Sequence, residues 1–177
     1  AEKAGLADAI SFRKGKGESL PFSDDAFDFS FSVTTLEEGD ADKMIAEMVR
    51  VTKPDGKVGA IVRALDIPLV INLPLRPDLK KKAESFPNGA VVERGCADDS
   101  LYSRFRRAGI TNVKKFPQFV AYDETSPMNL HHMLSLTFNR LDQGEQAEWN
   151  TVMSDEEAKA NFFISGPYHC AVGTKPS

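Results

Sequence analysis

A change in the spacing of apolar residues between positions 27 and 63 constrains the fold of this chain more than any other feature. Residues 27–33 read FDFSFSV, so every second residue is apolar, which is the period of a half-buried β-strand. From Asp40 to Thr52 the apolar residues recur at helical spacing instead, and residues 57–63 (KVGAIVR) are strand-like again. A strand, a helix and a second strand in close succession predict an α/β domain with a mostly parallel sheet.

The rest of the chain continues this alternation. In the last strand-like stretch, a period of two sends His169 and Cys170 to opposite faces. This predicts a core position for Cys170 and an edge or pocket-facing position for His169. The other predicted elements are a strand over residues 8–13, a helix over 99–109, a strand over 112–122, helices between 127 and 160, and a final strand over 162–174 that Gly166 and Pro167 interrupt.

Two longer segments lie outside this pattern. Residues 64–98 contain four prolines among many apolar residues, which makes the segment too apolar for a linker and too broken for a long helix. We interpret residues 64–98 and 123–161 as insertions that cover a substrate pocket, within one domain that spans residues 1–177. A surface excursion that packs on the core explains residues 64–98 equally well.

Composition narrows the functional classes. A chain of 177 residues with 41% hydrophobic residues can form one domain with a sizeable core. The net charge of −4 comes from 26 acidic and 22 basic residues without a basic cluster, which argues against a nucleic-acid partner. No apolar run approaches the length of a membrane span, so we expect no membrane partner. The two cysteines, Cys96 and Cys170, lie too far apart for a CxxC motif and favour a reduced, cytoplasmic location without a metal site.

Residues 11–56, which end in the Lys53-Pro54-Asp55-Gly56 turn, resemble the middle of a class I S-adenosylmethionine (SAM) methyltransferase. Within that family the chain is most similar to the small-molecule methyltransferases of the ubiquinone and menaquinone type. The resemblance implies an α/β, Rossmann-like class I methyltransferase sheet with a helical insertion before the last strand. It begins after the position of the family's glycine-rich SAM loop, so the first two strands of that sheet would be absent and the domain partial.

The resemblance also implies SAM as the cofactor and a small molecule as the methyl acceptor. It assigns Gly17 and Glu18 to the adenine end of SAM, although Lys16 stands where the family has an acid. Ser32, Val33 and Thr34, at the end of the strand over residues 27–33, would pass under the methionine end. Ligands of open α/β sheets bind at this end of the strands.

Methyl transfer from a sulfonium requires positioning more than it requires a base. If a base is needed, we expect it among Glu37, Glu38, Asp66 and His131. His131 and His132 are neighbours on a helix and point about 100° apart, so they do not form a paired metal site.

In the sheet of the family, the two absent strands lie between the third and the fourth strand. Their absence would leave the strand over residues 27–33 with an uncovered apolar edge, which invites association. We therefore expect that the chain is a fragment of a longer protein and that it forms a homo-oligomer through exposed sheet edges. The alternative to a methyltransferase is a methyltransferase-like module without catalysis, used for binding or assembly.

Overall fold

A computed structural model describes residues 5, 8–86, 91–125 and 127–177. The strands in this part of the chain are β1 (Phe27–Val33), β2 (Thr52–Arg63), β3 (Val70–Ile71), β4 (Thr111–Lys115), β5 (Gln118–Tyr122) and β6 (Ile164–Thr174). The helices are α1 (Ala41–Val51), α2 (Pro77–Glu84), α3 (Ser100–Arg107), α4 (Pro127–Phe138), α5 (Gln143–Met153) and α6 (Glu156–Ala160). Helices α4 to α6 form the expected helical insertion before the last strand.

The strands form one mixed sheet in the order β1-β2-β6-β3. β1 and β2 are parallel, whereas β2 and β6 are antiparallel from Lys57↔Thr174 to Arg63↔Tyr168. The opposite edge of β6 pairs with β4 and β5. The α/β class is therefore confirmed, but the prediction of a mostly parallel sheet is wrong, because the long β6 runs against all its neighbours. In the described residues no strand pairs with the second edge of β1.

The alternation in β1 is confirmed, and it separates two very different faces. Phe29 and Phe31 are about half exposed, at 50% and 52%. On the other face Ser30 donates from Oγ to the Met48 carbonyl at 3.2 Å, and Thr52 Oγ1 lies 2.8 Å from Ser30 Oγ. Small side chains on this face therefore let α1 approach the sheet closely, while the phenylalanine face of β1 is open.

Local signals place α1 correctly. Its N-cap is Asp40, whose side chain accepts from the Lys43 backbone amide at 3.3 Å. The helix ends at Val51, and β2 begins directly at Thr52 rather than at residue 57 as the sequence predicts. Pro54 prevents the helix from continuing, and the extended chain before it already pairs with β1 through Thr52.

Two hydrophobic cores hold the helices to the sheet. The first lies between the sheet, α1 and α3, and its largest buried side chains are those of Leu36, Ile45, Leu101 and Phe105. The second joins β3 and the start of β6 to α2, α4 and α5. The segment of residues 64–98 supplies much of this second core, through Leu69, Ile71, Leu73, Leu75, Leu79 and Ala83.

Three predicted strands differ from the structure. Residues 8–13 form no strand, because no described neighbour pairs with them, and only an isolated bridge joins Lys16 to Ser19. The predicted strand over residues 112–122 is two strands, β4 and β5, separated at Phe116 and Pro117. The final strand is uninterrupted, because Pro167 pairs with Phe119 and its carbonyl accepts from the Ala64 amide at 3.0 Å.

Arg50 in α1 attaches the segment before β1 to the domain. Its guanidinium donates to Glu47 at 2.7 Å, to Asp24 at 2.7 Å and to the Phe22 carbonyl at 2.9 Å. Glu47 also accepts from the Leu20 amide at 2.7 Å. The Arg50 hydrogen bond, followed by that of the Leu20 amide, lowers the pKa of Glu47 to about 2. Arg50 therefore binds both carbonyl and carboxylate groups of residues 20–24.

We expect Arg50→Ala to lower the midpoint of thermal unfolding by several degrees, because it removes several charge-assisted hydrogen bonds at once. Arg107→Ala is the matched control, since Arg107 contacts Asp42 at 3.2 Å as an exposed ion pair. The control should change the midpoint by about a degree or less. Equal midpoints for the two variants in a calorimetric scan contradict this role of Arg50.

Candidate functional site

A cavity of about 390 Å³ lies where several strands end. β1 and β2 are parallel, so their carboxyl ends lie at the same edge of the sheet. Thr34 directly follows the last residue of β1, and Arg63 is the last residue of β2. β5 runs in the same direction, since β5 and β2 are both antiparallel to β6, and Tyr122 ends it there. We call this the strand-end cavity; its lining is Thr34, Glu37, Glu38, Arg63, Phe86, Tyr122, His132, Met133, Leu136, Gly166, Pro167 and Tyr168.

Thr34 is held in an unusual backbone conformation. Its φ is 50°, in the left-handed region, and its amide donates to the Ile61 carbonyl at 2.8 Å. Three further non-glycine residues described with positive φ are Asp25, Asp55 and Asn112, whose side chains tolerate this region. A β-branched residue there is strained, and such strain concentrates at functional sites.

The buried Glu37 and the partly exposed Arg63 form an ion pair at the wall of the strand-end cavity. Glu37 is 2% exposed, and it accepts both from the Arg63 backbone amide at 2.7 Å and from the Arg63 guanidinium. Because these bonds occupy both oxygens of the carboxylate, Glu37 is fixed as a structural anion. The pair also neutralises the charge of this wall.

Tyr122 and Tyr168 form a hydroxyl pair on the same wall, with their oxygens 2.5 Å apart. A side chain at position 166 would come within 3.3 Å of the Tyr122 ring, so Gly166 leaves the room in which the ring crosses β6. Burial, and then the hydrogen bond to Tyr122, raises the pKa of Tyr168 above its ordinary value. The Tyr168 hydroxyl is therefore neutral, and the pair can serve as a hydrogen-bonding group.

The remaining wall is mostly apolar. Met133 and Leu136 from α4 and Phe86 from the 64–98 segment line it. Glu38 and His132 are exposed and add the titratable groups that are open to solvent. The cavity thus combines a charge-neutral, apolar interior with polar groups at its mouth.

A second cavity of about 370 Å³ runs along the open edge of β1, and we call it the β1 trough. Gly17, Ser32 and Val33 line it together with apolar side chains of α1. A side chain at position 17 would come within 2.4 Å of Met44, so Gly17 presents bare backbone there. Glu18 Oε1 accepts from the Asp40 amide at 3.1 Å and is therefore occupied at the start of α1.

Asp66 lies in a third cavity of about 310 Å³, beside Asp98. The His169 Nε2 lies 2.9 Å from Asp66 Oδ1, and the His169 Nδ1 lies 3.0 Å from the Tyr102 hydroxyl. Both His169 and Cys170 are buried. The prediction of a core position for Cys170 is confirmed. His169 is also buried and makes a hydrogen bond through each ring nitrogen, so it is not an edge residue.

The structure divides the predicted site residues among these cavities. The cofactor candidates Gly17, Ser32 and Val33 lie in the β1 trough, and Thr34 lies in the strand-end cavity on the other side of the same strand end. Of the predicted bases, Glu37 and Glu38 line the strand-end cavity and Asp66 the third cavity. His131 is exposed and lines none of the three cavities; its neighbour His132 lines the strand-end cavity instead.

Sequence reasoning missed Tyr122, Tyr168 and Arg63. Arg63 ends β2, Tyr122 ends β5 and Tyr168 lies near the middle of β6, and their approach depends on the pairing of β6 with both β2 and β5. Only the rule that open sheets bind ligands at the carboxyl ends of their strands could have pointed to Tyr122 and Arg63.

Two further features bear on function. Among the residues that the structure describes, no group of three or more histidine, cysteine or acidic side chains is placed to hold a metal ion. In the same residues, no helix is long and apolar enough to cross a membrane.

Comparisons with known proteins agree with this geometry. A family model described as a methyltransferase domain matches residues 1–60. A demethylmenaquinone methyltransferase of Lactobacillus johnsonii is 30% identical over 127 residues, which are 67% of this chain and 47% of that protein. The chain therefore spans about half the length of this curated relative.

Solved structures show the same fold. The YcgJ protein of Bacillus subtilis matches with a TM-score of 0.57 and 16% identity, over 99% of this chain and 75% of that one. A SAM-dependent methyltransferase of Thermotoga maritima matches with a TM-score of 0.50 and 18% identity, over 98% and 69% of the two chains. Together with the match of residues 1–60 to a methyltransferase domain, these similarities show that the chain has the Rossmann-like fold of the class I SAM-dependent methyltransferases.

Proposed function

We propose that this chain is the acceptor-binding part of a SAM-dependent methyltransferase and that the strand-end cavity binds a small-molecule methyl acceptor. The position of that cavity carries the proposal. It lies at the carboxyl ends of the parallel strands β1 and β2, where open α/β sheets bind ligands, and Thr34 is strained at its rim. Its volume of about 390 Å³ is within the range of small-molecule sites.

The residues assigned to SAM fit an elongated molecule in part. Gly17 offers bare backbone in the β1 trough, and Ser32 and Val33 lie in the same trough. Thr34, the next residue, faces the strand-end cavity. In this assignment, Gly17 would hold the adenosine part of SAM and Thr34 would hold its sulfonium end. Glu18 is engaged with the Asp40 amide, so we propose for it a supporting role.

When bound, SAM supplies a methyl group on a positively charged sulfur. The chain contributes two things to its transfer. The apolar wall of Met133, Leu136 and Phe86 excludes water, which strengthens electrostatic interactions in the site. Glu38, which is exposed at the cavity, would supply a negative charge for a bound sulfonium. Together with His132, it is placed to accept a proton from the acceptor. Glu37 is bonded to Arg63 and acts as a positioning residue.

The chemical nature of the acceptor is a finer part of the proposal. The Lactobacillus johnsonii relative is named for demethylmenaquinone, a quinone-type acceptor. The interior of the strand-end cavity is mostly apolar and its buried charges are paired, which favours an uncharged acceptor. We therefore propose an uncharged small molecule as the acceptor.

A second function, that of a non-catalytic assembly module, is favoured by the open edge of β1. None of the described strands pairs with this edge, and the neighbouring face exposes Phe27, Phe29, Phe31 and Val33. An unpaired apolar strand edge is a template for pairing with another chain. In this alternative, a second copy of the chain covers the edge.

A calorimetric titration with SAM and with S-adenosylhomocysteine tests the main proposal. We expect both to bind, and Glu38→Lys to weaken SAM binding about tenfold, because it reverses a charge beside the sulfonium. S-adenosylhomocysteine lacks that positive charge, so its affinity should change less. Glu93→Lys is the control, since Glu93 is exposed and lines none of the three cavities. Failure of both compounds to bind at millimolar concentration contradicts the proposal.

The strain at Thr34 predicts an unusual effect on stability. Thr34→Gly should raise the free energy of unfolding by about 1 kcal/mol, since glycine adopts a φ of 50° without the steric cost of a β-branched residue. The neighbouring Thr35→Gly should lower it by about 0.5–1 kcal/mol through backbone entropy. Denaturant titration of both variants measures the difference. A loss of stability in Thr34→Gly that equals the loss in Thr35→Gly contradicts the strain at this position.

Sedimentation velocity tests the assembly alternative. If a second copy covers β1, the chain should dimerise at micromolar concentration, and Phe29→Glu/Phe31→Glu should make it monomeric. Phe119→Glu/Val120→Glu is the matched control, since these two residues are similarly exposed on β5, at 52% and 44%. A wild-type chain that is monomeric at every concentration rules out self-assembly through β1.

A further inference from the structure

We propose that the Tyr122–Tyr168 hydroxyl pair binds an oxygen of the acceptor, and that the strand-end cavity selects an apolar ring compound that carries a hydroxyl group. The inference deepens the proposed function and rests on it in one respect only, namely that the molecule bound in this cavity is the methyl acceptor. The binding claim itself depends on the cavity alone.

The Tyr122–Tyr168 pair has hydrogen-bond capacity that the protein does not use. Each tyrosine hydroxyl can donate one hydrogen bond and accept others. The single bond of 2.5 Å between the two oxygens uses one proton, whichever residue donates it. Neither hydroxyl has another hydrogen-bond partner among the described residues. One O–H proton and several lone pairs are therefore left for a ligand that enters the cavity.

The two tyrosines of the pair are held in place by the surrounding structure. Tyr122 is buried at 9% exposure, and its ring lies over Gly166, where a side chain would come within 3.3 Å. Tyr168 is fixed by its pairing with Arg63 on one side and with Gln118 on the other. A ligand thus meets donors and acceptors that need no reorganisation, which is the usual way in which a mostly apolar pocket orients its ligand.

The charges around the tyrosine pair favour a neutral ligand. Burial raises the pKa of Tyr168 above its ordinary value, so this residue offers a neutral hydroxyl and no phenolate at neutral pH. The adjacent Glu37–Arg63 pair is internally neutralised, and the titratable side chains open to solvent, Glu38 and His132, are exposed at the mouth. An ionic head group inside the cavity would lack a free counter-charge beside the tyrosines. A neutral hydroxyl matches the site better.

The apolar part of the cavity lining favours a flat apolar ring in the rest of the ligand. The apolar side chains of the lining are those of Phe86, Met133, Leu136 and Pro167. Aromatic and thioether side chains of this kind pack well against flat apolar rings. A ring compound with one hydroxyl therefore satisfies both walls at once.

Two probes of similar shape test the inference, namely 1-naphthol and 1-methylnaphthalene, measured by equilibrium dialysis against the full 177-residue chain at pH 7. We expect wild type to bind 1-naphthol about fivefold more tightly, the effect of one net hydrogen bond. The double variant Tyr122→Phe/Tyr168→Phe should bind the two probes equally, while its affinity for 1-methylnaphthalene stays at the wild-type value. Either single Tyr→Phe variant should keep part of the preference, because one hydroxyl remains.

Tyr102→Phe is the matched control. Tyr102 lies in α3, outside the lining of the strand-end cavity, and its hydroxyl makes a hydrogen bond to His169. Removing this hydroxyl should leave the fivefold preference intact. Equal binding of both probes to wild type, absence of binding by either, or a preference that survives in the double variant would overturn the inference. The dialysis contains no SAM, so its outcome is independent of the SAM titration. A chain that fails to bind SAM can still discriminate between the probes, and a chain that binds SAM can fail to discriminate between them.

Discussion

The antiparallel pairing of β6 with β2 is the interaction on which the rest of the structure depends. It joins the last strand of the chain to the centre of the sheet through seven consecutive residue pairs, from Lys57↔Thr174 to Arg63↔Tyr168. The opposite edge of β6 carries β4 and β5. The same strand supplies Ala171 to the first core and Ile164 to the second. Without this pairing, neither the two cores nor the strand-end cavity would share a common support.

This dependence explains which parts of the fold the sequence could predict. The strand β1 and the helix α1 follow from local periodicity and a capping aspartate, and both are confirmed. Residues 8–13 have the composition of a strand, yet they lack a neighbour to pair with. The uninterrupted course of β6 through Pro167 was equally hidden, because Phe119, its partner, lies 48 positions earlier in the sequence. Local patterns record propensity, whereas strand pairing depends on contacts that are distant in sequence.

The candidate site shows the same limit. Glu37 and Glu38 are two of the candidate bases, and both line the strand-end cavity. Sequence alone could not show that Arg63 occupies the carboxylate of Glu37 and leaves Glu38 open to solvent. Nor could it bring together Tyr122 and Tyr168, whose contact arises because β5 and β2 flank the same strand. Charge type is readable from sequence, but the partner that decides whether a charge is free is not.

The two sides of β1 make the proposed functions separable. Its open edge and phenylalanine face border the β1 trough, whereas the strand-end cavity is enclosed by β5, β6 and α4, and it touches this strand only through Thr34 beyond its end. A chain that covers the open edge would therefore complete the sheet without entering the strand-end cavity. It would also close the trough that Gly17, Ser32 and Val33 line. Under the proposed function, assembly at β1 would affect how tightly SAM is held, while recognition of the acceptor would depend on the part of the fold that β6 organises.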